Sequence, residues 1–507
     1  MTPPSARSAD AAVLPGQPEA TWVGHPRGLL TLFMTEMWER FSYYGMRALL
    51  VLFMVAAIQD GGMGLTDQTA TAIYGLYTAA VYLLSLPGGW MADRLLGAQR
   101  AIWYGGIVIM SGHFTLAIPG VPTFFLGLVL IAFGTGLLKP NISAVVGELY
   151  APGDPRRDGG FTIYYMGINI GAFLGPLACG WLATENWHYG FAAAGVGMLF
   201  GLIQFALTRK HMGTAGLEPA RATTGDDAAY RRRSWLGVWV SLALVGVLLI
   251  GGLTGLIRYD AVGLAQSASY VIVLVTAAFF AYVLGLGGLS SGERGRVIVI
   301  AVLIFAAAVF WAGFEQAGSS LNLFAERYTV RDFGNFTVPA TWFQSLNPAF
   351  ILILAPLYSM LWLALAKRRL DPNPVLKMAM GLIMLGLGFA VMIFAAQLVV
   401  RGDAVLPTWL IFTYLLHTMG ELALSPVGLS SVTKLSPRRY VGQMMGAWFL
   451  AASLGNILAG LIAGEFRADT VETMPGLYMQ IVLTTAGIGL LLAVASVPLK
   501  RLIGKES

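Results

Sequence analysis

Seven ionisable residues stand inside long apolar runs of the sequence: Glu36, Glu39, Arg40, Arg47, Lys139, Glu315 and Glu421. Runs of about 20 apolar residues can cross a bilayer, and a charge at the centre of such a span costs about 2.5 to 3.5 kcal/mol on insertion scales. Each is therefore a functional-site candidate in need of a partner. Four acids face three bases, so one carboxylate is in excess. An unpaired carboxylate in a low-dielectric cavity is disfavoured as an anion and tends to acquire a proton. The chemistry on offer is proton carriage together with ionic recognition of a ligand. The plain alternative is that these residues only staple helices through buried ion pairs.

The first apolar run carries Glu36, Glu39, Arg40, Tyr43, Tyr44 and Arg47 three or four residues apart, which on a helix makes one polar stripe. The stripe extends roughly 16 Å at the helical rise per residue. Asn169 and Asn347 each offer an amide donor and acceptor, and Tyr43, Tyr44, Tyr74, Tyr77, Trp311 and Trp448 could wall apolar pockets tolerant of varied groups. Ser425 lies one turn from Glu421 and is placed to hydrogen-bond it.

These side chains need a scaffold of membrane spans. The 507 residues are 57% hydrophobic and 11% charged, against about a quarter charged in soluble domains. Fourteen apolar windows begin near residues 29, 69, 99, 122, 160, 188, 235, 267, 297, 339, 375, 407, 440 and 474. Most of the 32 Lys and Arg residues fall in alternate connecting segments, among them Arg94, Arg100, Arg156, Arg157, Arg209, Lys210, Arg294, Arg296, Lys434, Arg438 and Arg439. The positive-inside rule then places both termini in the cytoplasm and makes the net charge of +6 topological, with no nucleic-acid partner implied. The first 27 residues carry no apolar run after a basic start and read as a disordered tail rather than a signal peptide. The single cysteine, Cys179, excludes an internal disulfide and a Cys-based metal site, and reads as a packed core thiol.

Lys210 to Ser234 is the most polar internal stretch and reads as a cytoplasmic linker. Two plain apolar helices follow, and residues 235–290 are taken as an inserted hairpin. Setting it aside leaves six plus six helices, the count of the major facilitator superfamily. The expected fold is an all-α polytopic membrane protein with two six-helix bundles plus two inserted transmembrane helices, 14 in total. The expected divisions are a cytoplasmic tail (1–28), a six-helix bundle (29–209), linker and hairpin (210–296), a second six-helix bundle (297–499) and a cytoplasmic tail (500–507). The charges occupy the first and fourth helices of each half, which aims them at one central cavity between the repeats.

The first stripe reads Glu36-Met37-Trp38-Glu39-Arg40-Phe41-Ser42-Tyr43-Tyr44-Gly45. It resembles the ExxERFxYYG signature of the proton-dependent oligopeptide transporter family, and the resemblance continues through residues 161–171, 310–318, 343–348 and 420–430. Gly88 to Arg94 resembles the broader superfamily's cytoplasmic loop motif, an acid and a base closing a tight turn. The family resemblance implies a proton-coupled symporter that imports di- and tripeptides by alternating access. It implies that Lys139 and Arg40 hold the peptide carboxylate, that Glu421 with Asn169 and Asn347 holds the amino end, and that Glu36, Glu39 and Glu315 couple protons, with Arg47 as partner of Glu315. It further implies a bacterial inner membrane, no cofactor beyond the coupling proton, and a monomer in contact with lipid. Animal relatives carry a functional histidine on the second helix. The five histidines here, His25, His113, His188, His211 and His417, all lie elsewhere, so proton handling rests on carboxylates. Rival readings are transport of nitrate or another small molecule, a membrane-embedded hydrolase, and a non-transporting sensor. No enzyme is expected, because neither a Ser/His/Asp set nor a metal-ligand cluster occurs at helical spacing.

Overall fold

The computed structural model describes residues 20–219, 227–467 and 470–503. Its helices in chain order are α1 (Arg27–Val55), α2 (Asp67–Met91), α3 (Ala98–Leu116), α4 (Val121–Glu148), α5 (Arg157–Glu185), α6 (Trp187–Thr208), α7 (Asp227–Leu253) and α8 (Ala261–Leu286). They continue with α9 (Ser291–Phe314), the short α10 (Ser320–Tyr328), α11 (Leu346–Lys367), α12 (Pro374–Arg401), α13 (Thr408–Leu435), α14 (Val441–Ala463) and α15 (Met474–Ile503). Among the described residues, 12 helices are long and apolar enough to cross a membrane by length and composition. Helix α1 falls outside that set because its own charges interrupt the apolar window, and α3 is short and carries Gln99, Arg100 and His113. Several starts are fixed by side chains that accept a first-turn amide: Thr66 before α2, Asp260 before α8, Asn373 before α12, and Ser290 in a capping box with Glu293 before α9.

The face at which the chain enters α1 is the near face, and the opposite one is the far face. In the first half α1 packs on α5 and α6, α2 on α4, and α3 on α4 and α6. In the second, α9 packs on α14 and α15, α12 on α13 and α15, and α11 on α13. The halves meet where α2 packs on α14 and where α5 packs on α11. Close approach of α1 and α5 depends on Gly171 and Gly175, where an added Cβ would run into the α1 backbone at Met37 and Phe41. This approach sets the depth of the charged stripe.

The inserted pair sits outside both halves. Helix α8 lies across the α2–α14 seam through Ala265 and Ile272, packed with Ala72, Ala79 and Ile457. Its end is tied to α14, where Arg439 Nη2 donates to Gly288 O at 2.7 Å and the Tyr440 hydroxyl to Gly287 O at 3.3 Å. Helix α7 is almost wholly exposed, with Leu236, Trp239 and Val247 facing outward, and Arg231 Nη2 donates to Leu95 O at 3.3 Å.

Five details depart from the sequence reading. Part of the expected disordered tail is ordered: β1 (Ala20–Trp22) pairs with β2 (His25–Pro26). Here Arg156 Nη1 donates to Gly24 O at 3.2 Å, and His25 Nδ1 lies 2.9 Å from the Tyr150 hydroxyl. Hydrogen bonds from the same Arg156 hold the Asp154 carboxyl below its usual range. The run Arg231 to Arg233, expected in the linker, belongs to α7, which begins at Asp227, eight residues before the expected start. Gly88 to Arg94 forms no tight turn. Helix α2 runs on as a π-helical segment, Ala92–Leu96, in which Asp93 and Arg94 are exposed and make no ion pair with each other. The span expected from 297 breaks after Phe314 into a 3₁₀ turn, Glu315–Gly318, followed by α10. The span expected from 339 begins with a 3₁₀ segment, Ala340–Ser345, before α11. Residues 1–19 and 504–507, which hold most of the first tail and Lys505 of the last, lie outside the described residues, as do 220–226 of the linker.

Candidate functional site

The seven membrane charges separate into three groups. Arg40 is held from two sides by the carboxylates of its own helix: its Nε lies 2.8 Å from Glu36 Oε1 and 2.7 Å from Glu39 Oε2. Only the Glu36 contact has hydrogen-bond geometry; both Glu39 oxygens, Glu36 Oε2 and Arg40 Nη2 lack a hydrogen-bond partner. All three side chains are buried, Glu39 completely. Two carboxylates against one guanidinium leave a buried excess negative charge with spare acceptors.

The second group joins the halves. Arg47 of α1 pairs with Glu315, at the break between α9 and α10, and its Nε donates to the Tyr74 hydroxyl of α2. Tyr74 is fully buried and serves this latch, rather than walling a pocket as the sequence suggested. Tyr77 is also buried, stacked on Tyr43 with ring centroids 6.5 Å apart. Around the latch, Arg327 of α10 grips Asp67 of α2 through two bonds of 2.7 Å. Asn322 donates to Ala48 O at 2.9 Å, Trp342 Nε1 to Leu177 O at 3.0 Å, and Ser345 to Phe173 O at 2.8 Å. Among the described residues, the hydrogen bonds and ion pairs that directly join α1–α6 to α9–α15 lie at mid-membrane or toward the far face.

The third group consists of lone charges on opposite halves. Lys139 of α4 forms no ion pair among the described residues; its Nζ sits over the Tyr82 ring, 4.2 Å from the centroid. Glu421 of α13 is without a cation and accepts from Asn347 Nδ2 at 2.9 Å. Asn347 also donates to Thr418 Oγ1 at 3.0 Å and so bridges α11 to α13. Ser425 makes no hydrogen bond to Glu421, contrary to expectation; the donor to that carboxylate is Asn347 of the facing helix. Lys139, Glu421, Tyr44, Trp311, Asn347 and Ser425 are each partly exposed. Among the described residues, no hydrogen bond or ion pair joins α1–α6 to α9–α15 on the near side of Lys139 and Ser425. Asn169 is buried and donates to Tyr165 O at 2.9 Å. Trp448 is buried against Gly428.

Tyr82, Thr418 and the Asp67–Arg327 pair were missed in the sequence. The tyrosine series Tyr74, Tyr77, Tyr82 along one helix was the available signal for the first. His417 packs in the core against Phe389, ring centroids 4.6 Å apart, and Cys179 is buried, as its place in an apolar run led us to expect.

Two six-helix sets with charged and polar side chains at their interface, joined by bonds at mid-membrane or toward the far face, define a membrane transporter of the major facilitator type. The sequence profile of the POT family matches residues 99–225 and 267–480. The chain is 44% identical over 495 residues to the peptide transporter YePEPT of Yersinia enterocolitica, covering 95% of this chain and 96% of that one. It is 38% identical over 502 residues to a di-/tripeptide transporter of Lactococcus lactis, covering 96% and 98%. A crystal structure of the peptide transporter POT in complex with sulfate superposes with a TM-score of 0.88 at 40% identity, covering 96% and 97%. The chain belongs to the POT family.

Proposed function

We propose that this protein is a proton-coupled symporter that imports di- and tripeptides across a bacterial inner membrane, with the near face and both termini in the cytoplasm. The observation that carries the reading is the pair of unpartnered, solvent-reached charges of opposite sign, Lys139 and Glu421, one on each half. A peptide is a zwitterion with a constant backbone and variable side chains, so a site that serves many sequences grips the termini. Lys139 with Arg40 takes the carboxylate, and Glu421, oriented by Asn347 and assisted by Asn169, takes the ammonium. Tyr43, Tyr44, Trp311 and Trp448 bound the side-chain space. Relatives that are peptide transporters, and a neighbour holding an anion, support this assignment.

Binding a ligand across Lys139 and Glu421 draws the halves together at the near face, and the far latch must then open. Protonation of Glu315 releases Arg47 and loosens that latch. Protonation of Glu36 or Glu39 frees Arg40 for the substrate carboxylate. The protein acts as a monomer with no cofactor other than the coupling proton, and the five divisions expected from the sequence are its functional units.

The test is uptake of labelled dialanine into proteoliposomes with and without an inward proton gradient. Gradient-driven uptake that tripeptides block and free alanine does not is the expected result; absence of peptide uptake, or competition by nitrate in place of peptide, overturns the proposal. Glu39→Gln is expected to abolish gradient-driven accumulation while retaining exchange of internal for external dialanine.

A further inference from the structure

The back of the charged helix forms the floor of a cavity that substrate transport does not use. A cleft of about 370 Å³ lies on the outer surface of the first half, floored by Met37, Trp38 and Phe41 of α1. One wall is α5, from Gly171 through Leu174 to Trp181, and Trp342 of the 340–345 segment closes its far end. The lining is apolar throughout. Its rim is continuous with side chains that face lipid, since Leu174 is 42% and Trp181 62% exposed.

The geometry points to a seat for one phospholipid acyl chain from the far leaflet. The ten helical rises from Gly171 to Trp181 span roughly 15 Å, about half of the ~30 Å hydrocarbon core and so the depth of one leaflet. The direction is fixed as well. Gly171 lies at the middle of α5, whereas Trp181 is one turn from its far end at Glu185. Two indoles, Trp181 and Trp342, therefore stand where a headgroup meets the acyl region, the level at which tryptophan is favoured. The Trp342 indole is held there by its bond to Leu177 O.

Such a chain is not ordinary annular lipid, because its seat is built from both halves. Trp342 belongs to the second half, so the cleft is complete only while α5 and the 340–345 segment are bonded at the far side. A seated chain therefore favours the conformation open to the near face. It also rests directly behind Glu36 and Arg40, whose neighbours Met37 and Phe41 form the floor. This inference stands whether or not the transported ligand is a peptide.

The experiment uses purified protein in phosphatidylcholine vesicles doped with a phosphatidylcholine whose sn-2 chain carries a mid-chain diazirine. After irradiation, adducts are mapped by mass spectrometry. Residues 37–41 and 171–181 are expected to label several-fold more per residue than 236–250 of α7, which faces lipid without a cleft. Leu174→Trp and Ala178→Phe, which fill the cleft, are each expected to bring its labelling down to the α7 level and leave α7 unchanged. Cleft labelling no higher than that of α7 in the unmodified protein overturns the proposal, as does labelling that survives in both filled variants. Should the filled variants fail to fold, the comparison within the unmodified protein decides alone.

Discussion

Arg47 and Glu315 neutralise each other between the halves, and Tyr74 accepts from the guanidinium. Removing one member leaves the other ion buried without a counter-charge, a loss of about 3–5 kcal/mol for such pairs. Arg47→Ala and Glu315→Gln are each expected to lower the melting temperature of the detergent-solubilised protein, and the exchange Arg47→Glu with Glu315→Arg to recover part of it. Single variants that melt like the parent would contradict the latch. Tyr82 makes a second claim at this scale. Its ring under Lys139 is worth about 0.5–2 kcal/mol; where the contact forms fully only in the complex, that equals roughly two- to thirtyfold in dipeptide affinity. Tyr82→Phe, which keeps the ring, is expected to bind dialanine nearly normally and Tyr82→Leu to weaken it by that factor; equal weakening in both would assign the effect to the hydroxyl. Charges in apolar runs were legible in sequence because membrane burial makes each one expensive. Their partners were less so: the Arg47–Glu315 pair was anticipated, but Asn347 displaced Ser425 as the partner of Glu421 because that choice depends on how α11 faces α13.

Helix starts were readable to within several residues because a run of apolar side chains bounded by a cap fixes them locally. The break at Glu315–Gly318 was not, because it is set by bonds made across the fold. Gln316 Nε2 donates to Ala312 O at 3.2 Å and to Ala459 O of α14 at 3.1 Å, and Ser320 donates to Gln316 Oε1 at 2.5 Å. The same holds for the π-helical end of α2, which hydropathy cannot register. At the break, a Cβ on Gly318 would collide with the Tyr74 hydroxyl. Gly318→Ala must therefore displace Tyr74 from Arg47 or shift the turn, an overpacking cost of about 1–3 kcal/mol. In a Tyr74→Ala background, which removes the ring atoms as well as the hydroxyl from the path of that Cβ, the collision is relieved, so Gly318→Ala is expected to lower the melting temperature less there than in the parent. Additive losses would show that the two residues are not coupled.

Across the whole molecule, the cross-half bonds gather toward the far face while Lys139, Glu421 and Ser425 remain reachable from the near face. Under the proposed mechanism this asymmetry is one end state of alternating access, and the sole native thiol, Cys179, is buried, so accessibility can be read without background. Ser425→Cys in oriented proteoliposomes is expected to react with a membrane-impermeant thiol reagent supplied at the near face and to be protected from the same reagent at the far face. The Asp67–Arg327 pair lies in the far-side group and is doubly bonded, so breaking it weakens that closed end. Arg327→Ala is expected to slow near-face labelling of Cys introduced at 425 and to raise far-face labelling, since an equilibrium between two states moves by the free energy removed from one of them. The exchange Asp67→Arg with Arg327→Asp is expected to restore the parental pattern. Far-face labelling that stays at the parental level in Arg327→Ala would mean that the Arg47 latch and the backbone-directed bonds of Asn322, Trp342 and Ser345 hold the far side closed without it.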